Sequence, residues 1–335
     1  MAPNPQPSTR RYIREFGPSE RFGGVFSIAN AQLGRTRNGD PFLKCLLGDR
    51  TGTLPARKWS VSEEQFRRLP TDGFVYAEGA TQPYQGELQL IVDSIEPTEP
   101  APTELRELLP SATRDPDEMF AEVVALLGTL AHPAMAALAR TYLADEMLMS
   151  QFRMAPAAKI MHHAYLGGLV EHTLTLMKGA DALLPLYPRL SRDLVVMGLF
   201  LHDLGKTREL IYDRTFGYSD RGELVGHIVE GALMLQDKAQ QAMAAEGVRL
   251  PAGLLSVLQH IVLSHHGRAE YGAARLPATP EAIFVAMLDE LDAKTFIALK
   301  SARPSEAPAF DLGGNFTERQ WALQNVKLYR PDPLA

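Results

Sequence analysis

The residues best suited to chemistry lie in Leu199–Lys206, where an apolar run ends in His-Asp-Leu-Gly-Lys. Adjacent side chains on a helix point about 100° apart, so His202 and Asp203 cannot grip one ligand from a single helix face. At the mouth of a buried helix they can reach one metal ion from neighbouring directions, and the carboxylate can bridge to a second ion. Lys206 lies about one turn further along the face of His202. A His-Asp pair taken alone is more typical of the polar end of a core helix.

Other histidines and aspartates occur in the same setting, beside glycine or another polar residue within apolar helical segments. These segments are His162-His163, Gly168 to His172, Gly226-His227, Ser264 to Gly267 with His265 and His266, and Met287 to Lys294 with Asp289 and Asp292. Any one of them is typical of a hydrogen-bonded residue near a helix end. Five on successive helices indicate a metal site, because ligands in helical bundles come from facing helices. Mixed His and Asp donors favour manganese, iron or another divalent ion over calcium.

Helical spacing of apolar residues continues over most of the second half of the chain, which is therefore predicted to be all-α. The predicted helices are Met119–Leu130, Pro133–Leu148, Ala164–Leu184, Asp193–Asp203, Val225–Ala245, Leu254–Ser264 and Pro280–Leu299. A single helix through His163 and His172 would place them half a turn out of phase. They can line one site only if Gly167-Gly168 breaks that helix.

The first part of the chain has the pattern of short strands separated by turn signals such as Asn38-Gly39-Asp40 and Asp72-Gly73. The predicted strands are Arg21–Ile28, Pro41–Leu47, Gly52–Trp59, Phe74–Ala80 and Glu87–Ile95. A helix-compatible stretch, Ser62 to Leu69, lies between the third and fourth strands. This arrangement predicts a small five-stranded barrel of the OB type.

Such barrels bind single-stranded nucleic acid through a basic groove with aromatic stacking platforms. The candidates here are the basic residues Arg35, Arg37, Lys44, Arg57 and Lys58 and the aromatic residues Phe42, Trp59 and Tyr84. Residues 10–68 carry a net charge of +6, although the whole chain carries −6. A single aromatic residue is more often part of a core, but the set together favours nucleic-acid binding.

Length and composition fit two domains of a globular protein, because 335 residues with 45% hydrophobic and 22% charged residues can form two cores. The expected division is a flexible N-terminus (1–19), a barrel (20–98), a Pro-rich linker (99–116), a helical domain (117–300) and a C-terminal tail (301–335). The lone cysteine, Cys45, excludes a disulfide scaffold and a cysteine-based zinc site. The N-terminus lacks an apolar signal segment, and no apolar run is long enough to cross a bilayer. A cytoplasmic protein without membrane contact is expected.

The order His172, His202-Asp203, His227, His265, Asp289 resembles the HD superfamily of metal-dependent phosphohydrolases. The chain is similar to YhaM-type 3′→5′ exoribonucleases, because an N-terminal OB barrel that contains Asn38–Leu43 and Asp49–Gly52 precedes His162–Thr173 and Leu201–Lys206. The resemblance covers about residues 20 to 300. It implies a multidomain fold in which the OB barrel is followed by an all-α HD-domain bundle.

The same resemblance implies a role for each matching residue. His172, His202, Asp203 and Asp289 would hold a first metal ion, and Asp203 would bridge to a second ion held by His227 and His265. Lys206 would steady the scissile phosphate beside the catalytic Asp203. His266 and Asp292 are weaker candidates for ligands, and His163 is a candidate for contacting substrate.

The implied activity is two-metal hydrolysis of single-stranded nucleic acid, releasing nucleoside monophosphates from the 3′ end of RNA. Two close cations lower the pKa of a bridging water and neutralise phosphate charge. Mn²⁺ is the expected ion, with Co²⁺, Fe²⁺, Mg²⁺ and Ni²⁺ as alternatives. Single-stranded RNA is the expected partner, and single-stranded DNA and self-association stay open.

Two other functions compete with this interpretation. One is an HD-type hydrolase of nucleotides or cyclic dinucleotides, although His265–Gly272 departs from the His-His-Glu and Gly-Tyr-Pro pattern of the latter. The other is a non-catalytic nucleic-acid-binding protein with a structural HD half, against which the near-complete ligand set argues.

Overall fold

The structure is a computed structural model. It describes residues 10–36, 38–84, 87–101, 104–159, 163–213, 216–251, 253–304, 314–332 and 334. The chain forms two compact units, of which the first runs to Ser111 and includes Ile211–Gly217. The second comprises Ala112–Leu210 and the residues from Tyr218 onward. The division at Ser111 lies within the predicted linker, and the assignment of Ile211–Gly217 to the first unit was not predicted.

The first unit is a closed barrel of five strands in the order β1-β2-β3-β5-β4. The strands are β1 (Arg21–Arg35), β2 (Pro41–Asp49), β3 (Gly52–Trp59), β4 (Gly73–Tyr84) and β5 (Glu87–Thr98), with helix α1 (Glu63–Arg68) between β3 and β4. Pairing of β1 with β4 closes the barrel, and β3 and β5 pair in parallel. The predicted OB-type barrel is confirmed, with β3 as predicted and the other four strands longer than predicted.

Period-2 alternation in the strands fills the barrel with apolar side chains. Leu43, Cys45 and Leu47 alternate along β2, and each is at most 3% exposed. Burial raises the pKa of the Cys45 thiol to about 12, so this cysteine is an inert core residue. The opposite faces of β2 and β3 are left for other contacts.

The second unit is built of helices, which follow a four-residue helix, α2 (Leu105–Leu108), at the end of the first unit. They are α3 (Pro116–Leu127), α4 (Pro133–Leu143), α5 (Glu146–Met154), α6 (Gly168–Leu183), α7 (Arg192–Leu201), α8 (Lys206–Glu209), α9 (Asp220–Glu246), α10 (Leu254–Ser264) and α11 (Pro280–Ala302). No helix among the described residues is both long and apolar enough to cross a membrane.

The second half of the chain differs from the sequence prediction at several places. The predicted helix Pro133–Leu148 is two helices, because the Asp145 side chain accepts a hydrogen bond from Leu148 N and starts α5. Helix α9 is kinked at Gly226, whose φ of 74° is left-handed. Two strands of two residues each, β6 (Leu210–Ile211) and β7 (Gly217–Tyr218), pair with each other, and they are too short to give a period-2 signal.

Candidate metal centre and nucleic-acid interface

His202 and Asp203 lie in the sharp turn between α7 and α8, deep in the helical unit. Helix α7 has an apolar surface that packs on all sides, and Ser191 caps its N-terminus by accepting from Leu194 N. The helix ends at Leu201, and α8 begins at Lys206. His202 and Asp203 are 0% and 2% exposed. A buried carboxylate requires compensating partners.

One carboxylate oxygen of Asp203 faces a first group of side chains. Asp203 Oδ2 lies 3.4 Å from His202 Nε2 and 3.7 Å from His172 Nε2. His172 Nε2 is also 3.2 Å from Asp289 Oδ1 on α11. The structure therefore brings together all four residues that the sequence assigned to a first metal ion.

The other oxygen of Asp203 faces a second group. Asp203 Oδ1 is 3.6 Å from His227 Nε2 and 3.4 Å from His265 Nε2. His266 neighbours both histidines, with ring centroids 5.1 Å from His227 and 4.3 Å from His265. Asp203 is thus shared by two sets of nitrogen donors, one at each oxygen.

The imidazole rings are held by hydrogen bonds at Nδ1. His202 Nδ1 lies 2.6 Å from the Leu199 carbonyl oxygen, and His265 Nδ1 lies 2.7 Å from that of Val262. Because a carbonyl only accepts, each Nδ1 must carry the proton, which leaves a lone pair on Nε2. Nδ1 anchoring of this kind is typical of metal-ligating histidines.

Two carboxylates hold the other two rings in the same way. Asp292 Oδ2 lies 2.8 Å from His172 Nδ1, and Glu209 Oε1 lies 2.9 Å from His227 Nδ1. Asp292 therefore contacts His172 on the side away from Asp203. Glu209 was missed by the sequence analysis, since it reads as an ordinary charge on a short helix. Its partner is 18 residues away, beyond the kink at Gly226.

The second group fits a cation by a direct test. Among the described residues, Asp203 Oδ1, His227 Nε2 and His265 Nε2 are buried atoms with no hydrogen-bond partner. Lone pairs of the His265 nitrogen and the carboxylate oxygen face each other, which is unfavourable unless a positive charge lies between them. A divalent ion with nitrogen and oxygen ligands satisfies all three atoms.

The protonation states also suit metal ligation. Burial lowers the pKa of His227 and His265, and burial together with the charge of Lys206 lowers the pKa of His266 to about 4. Burial would raise the pKa of Asp203, but the charge of Lys206 outweighs it and holds that pKa well below its usual range. These histidines are neutral and the carboxylate is ionised at neutral pH.

His172 behaves differently because two carboxylates face it. Burial alone would lower its pKa, but hydrogen bonds to Asp289 and Asp292 raise the pKa to about 9. Without a metal ion, a proton on His172 therefore supplies the positive charge at the first group. A cation that binds there must displace this proton.

We expect the metal-free protein to be most stable near pH 6.5–7. Above the unfolded pKa of 6.5, the unfolded chain releases the proton that folded His172 keeps up to about pH 9, so stability falls as pH rises. Below pH 6.5, these three histidines bind protons in the unfolded chain but not in the folded protein, so stability falls as pH decreases: His227, His265 and His266. Thermal unfolding in chelator should show a Tm lower by at least about 3 °C at pH 5.5 and pH 9. A flat profile across this range would contradict these pKa directions.

His163 lies beside the first group. The sequence analysis allowed this position only if the helix is broken between His163 and His172. The break exists, because α6 begins at Gly168 after Gly167 with a φ of 80°. His163 is 4% exposed, with Nδ1 at 2.7 Å from the Tyr165 hydroxyl oxygen and Nε2 at 3.2 Å from Asp292 Oδ2. These contacts tie it to the residue that holds His172, and its role in contacting substrate stays a prediction.

On the barrel, β2 and β3 present an aromatic and basic face. Phe42 pairs with Trp59 and Lys44 with Arg57, so these four side chains point to the same side. The rings of Phe42 and Trp59 are 5.3 Å apart, and Arg57 lies 5.0 Å above the Tyr84 ring. Trp59 is 46% exposed, and this face is the one that OB folds use for oligonucleotides.

Two of the remaining basic candidates, Lys58 and Arg35, are not brought to this face. Lys58 points to the opposite side of β3 from its neighbours and donates to the Asp93 carbonyl oxygen at 2.5 Å. Arg35 ends β1 and donates to the Gly39 carbonyl oxygen. Arg37, predicted with them, lies outside the described residues.

Two domain families match the chain. Residues 169–294 match the HD domain, and residues 25–98 match an OB-fold nucleic acid binding domain of the tRNA anti-codon type. Among solved structures, the second OB-fold domain of replication protein A from Methanococcus maripaludis is 18% identical. It covers 27% of this chain and 96% of its own length with a TM-score of 0.23, too low to support a functional conclusion.

Curated relatives extend over nearly the whole chain. A protein of Shouchella clausii named 3′-5′ exoribonuclease YhaM is 33% identical over 95% of this chain and 96% of its own length. A protein of the same name from a Geobacillus species is 33% identical over 91% of this chain and 90% of its own length. At this identity and coverage, the chain belongs to the YhaM family of 3′→5′ exoribonucleases.

Proposed function

We propose that this protein is a metal-dependent exoribonuclease that shortens single-stranded RNA from the 3′ end and releases nucleoside monophosphates. The observation that carries the proposal is the position of Asp203, whose two oxygens each face a different set of histidine nitrogens. Family membership supports the substrate class and the direction of digestion.

The donor atoms divide into two sites that share Asp203. The residues that would hold the two cations are His172, His202, Asp203 and Asp289 for the first, and Asp203, His227 and His265 for the second. Divalent cations bound there supply the charge neutralisation and water activation that phosphodiester hydrolysis needs. The mixed donor set supports Mn²⁺ as the native ion. Asp292 and Glu209 keep two of the rings in the orientation that presents Nε2.

Lys206 is the cation nearest to the shared carboxylate. Its Nζ lies 2.7 Å from Asp203 Oδ2, and the side chain is 9% exposed. Burial would lower its pKa, but the charge of Asp203 raises that pKa, so Lys206 stays protonated. We assign to it the binding of a non-bridging oxygen of the scissile phosphate.

The experiment that tests the proposal uses single-stranded RNA labelled at its 5′ end. With Mn²⁺ we expect products that shorten one nucleotide at a time, and with a chelator we expect intact RNA. Single-stranded DNA of the same sequence and RNA with a blocked 3′ end serve as controls. Intact RNA that stays bound to metal-loaded protein would favour a binding protein instead. Hydrolysis of nucleotides or cyclic dinucleotides alone would favour the other class of HD hydrolase.

We further propose that the barrel supplies much of the affinity for RNA. Replacing Trp59 by Ala should weaken binding of single-stranded RNA about 5- to 150-fold, because stacking of a base on an aromatic ring contributes about 1–3 kcal/mol. Fluorescence anisotropy at fixed salt measures the loss. Tyr76→Ala is the matched control, since Tyr76 is 43% exposed on β4 and its hydroxyl donates to Glu78. Equal losses in both variants would exclude a dedicated face around Trp59.

Cleavage of a small phosphodiester such as bis(p-nitrophenyl) phosphate separates the barrel from the catalytic site. Trp59→Ala should leave this activity unchanged, because the reporter is too small to need the barrel. Self-association and a cytoplasmic location stay predictions from the sequence, and size-exclusion chromatography with light scattering tests the first.

A further inference from the structure

A cavity of about 470 Å³ in the helical unit adjoins the candidate metal centre. Its lining includes Lys206, His265, His266 and Asp289, which belong to that centre. His265, whose Nε2 is buried and has no hydrogen-bond partner among the described residues, is one of the lining residues. The volume lies in the range of small-molecule sites, about 300–1,000 Å³.

The cavity runs along one face of α11. Asp289, Ala293 and Ile297 line it at intervals of four residues, so they follow one another on the same side of the helix. Eight residues of α-helix span about 12 Å, which is the length of an extended nucleotide in order of magnitude. Ala293 is small, which leaves room beside the helix for a bound group. The lining is mixed, with the charged side chains of Glu290 and Lys294 among the apolar ones of Ala293 and Ile297.

Aromatic side chains complete the wall. Trp321 belongs to a short 3₁₀ helix, Trp321–Leu323, which contacts α11, and the neighbouring Gln320 accepts a hydrogen bond from Ser301 Oγ at 3.1 Å. The Trp321 side chain is 73% exposed, so its ring is not used as core. Tyr271 lines the same cavity. Exposed aromatic rings beside a charged pocket are typical of base-stacking sites.

We infer that this cavity receives the 3′-terminal nucleotide of the RNA, with its base stacked on Trp321 and its phosphate at the Lys206 end. The inference rests on the proposed function, because the candidate metal centre determines where the reacting phosphodiester must lie. Stacking accepts any base, so the cavity should hold all four nucleotides with similar affinity. Asp289 and Lys206 then contact the same nucleotide that the reaction releases.

The test uses the full-length chain with Trp59 replaced by Phe, which leaves Trp321 as the single tryptophan. Adenosine 5′-monophosphate, added in chelator, should quench the emission of Trp321 in a saturable manner. Ala293→Leu in the same background fills the cavity and should weaken this binding at least about tenfold, by the steric cost of overpacking. Val326→Ala is the control, because Val326 is exposed on the same C-terminal segment but does not line the cavity.

A kinetic readout accompanies the binding measurement. Trp321→Ala should raise the KM for a short RNA about 5- to 150-fold, whereas Val326→Ala should leave that KM unchanged. Absence of saturable quenching, or equal binding with Ala293→Leu, overturns the cavity assignment even if RNA is still degraded. Normal quenching by the nucleotide in a protein that leaves RNA intact overturns the proposed function and keeps the nucleotide site.

Discussion

Replacing Asp203 by Asn should abolish RNA hydrolysis, with a loss of at least about 10³-fold. The side chain keeps its shape but loses the charge that both groups of histidines face. Since metal ions contribute several kcal/mol to charge stabilisation and each 1.36 kcal/mol is tenfold in rate, the loss of both ions corresponds to this factor or more. Elemental analysis of the purified variant should show less than one divalent metal ion per chain, against the two expected for the natural sequence.

The matched control for Asp203→Asn is Asp292→Asn. This substitution also removes a carboxylate charge beside His172, but from the Nδ1 side of its ring. Asp292 acts on the ring from its Nδ1 side, so its loss should cost about 10- to 100-fold in activity or metal affinity. Circular dichroism checks folding, because Asp203→Asn leaves the Lys206 cation without its buried, charged partner. Equal losses in the two variants would show that Asp203 is not the shared ligand.

Much of the candidate centre could be predicted because its donors lie where apolar helices end. His202 follows α7 and His265 follows α10, so the apolar run predicts both the helix and its exit point. The barrel was equally accessible, since its strands alternate and its turns carry glycine. Period-2 alternation also places Lys58 opposite Arg57 and Trp59, and applying it would have removed Lys58 from the basic set.

Other parts depend on contacts that no local pattern contains. Glu209 orients His227 only because the left-handed Gly226 turns the chain back towards α8. His163 reaches Asp292 because Gly167 starts α6 after it. Trp321 lies in a weakly patterned tail, and its place beside α11 is a tertiary contact. Sequence periodicity reports which face of an element is buried, and it cannot report which distant side chain lies against that face.

Close backbone packing at Gly205 brings the two halves of the centre together, and Gly205→Ala should separate them. Gly205 has φ of −58°, so alanine is allowed by the backbone. A Cβ there would lie 2.0 Å from the His227 carbonyl oxygen and 2.9 Å from Gly231 N, and these are backbone atoms that cannot rotate away. The turn carrying Asp203 and the helix carrying His227 must therefore move apart. We expect a destabilisation of about 1–3 kcal/mol or more and weaker binding of the second cation.

The same substitution at another glycine gives the control for Gly205→Ala. Gly179 lies within α6, and a Cβ there would meet Leu288 at 3.5 Å, an ordinary van der Waals distance. Gly179→Ala should therefore raise the free energy of unfolding by up to about 1 kcal/mol, because alanine is the better helix former. Thermal unfolding and metal content are measured for both variants. A Gly205→Ala protein with unchanged Tm and two bound ions would mean that His227 does not depend on this contact, and Asp203 and His227 would then need another account of how they stay together.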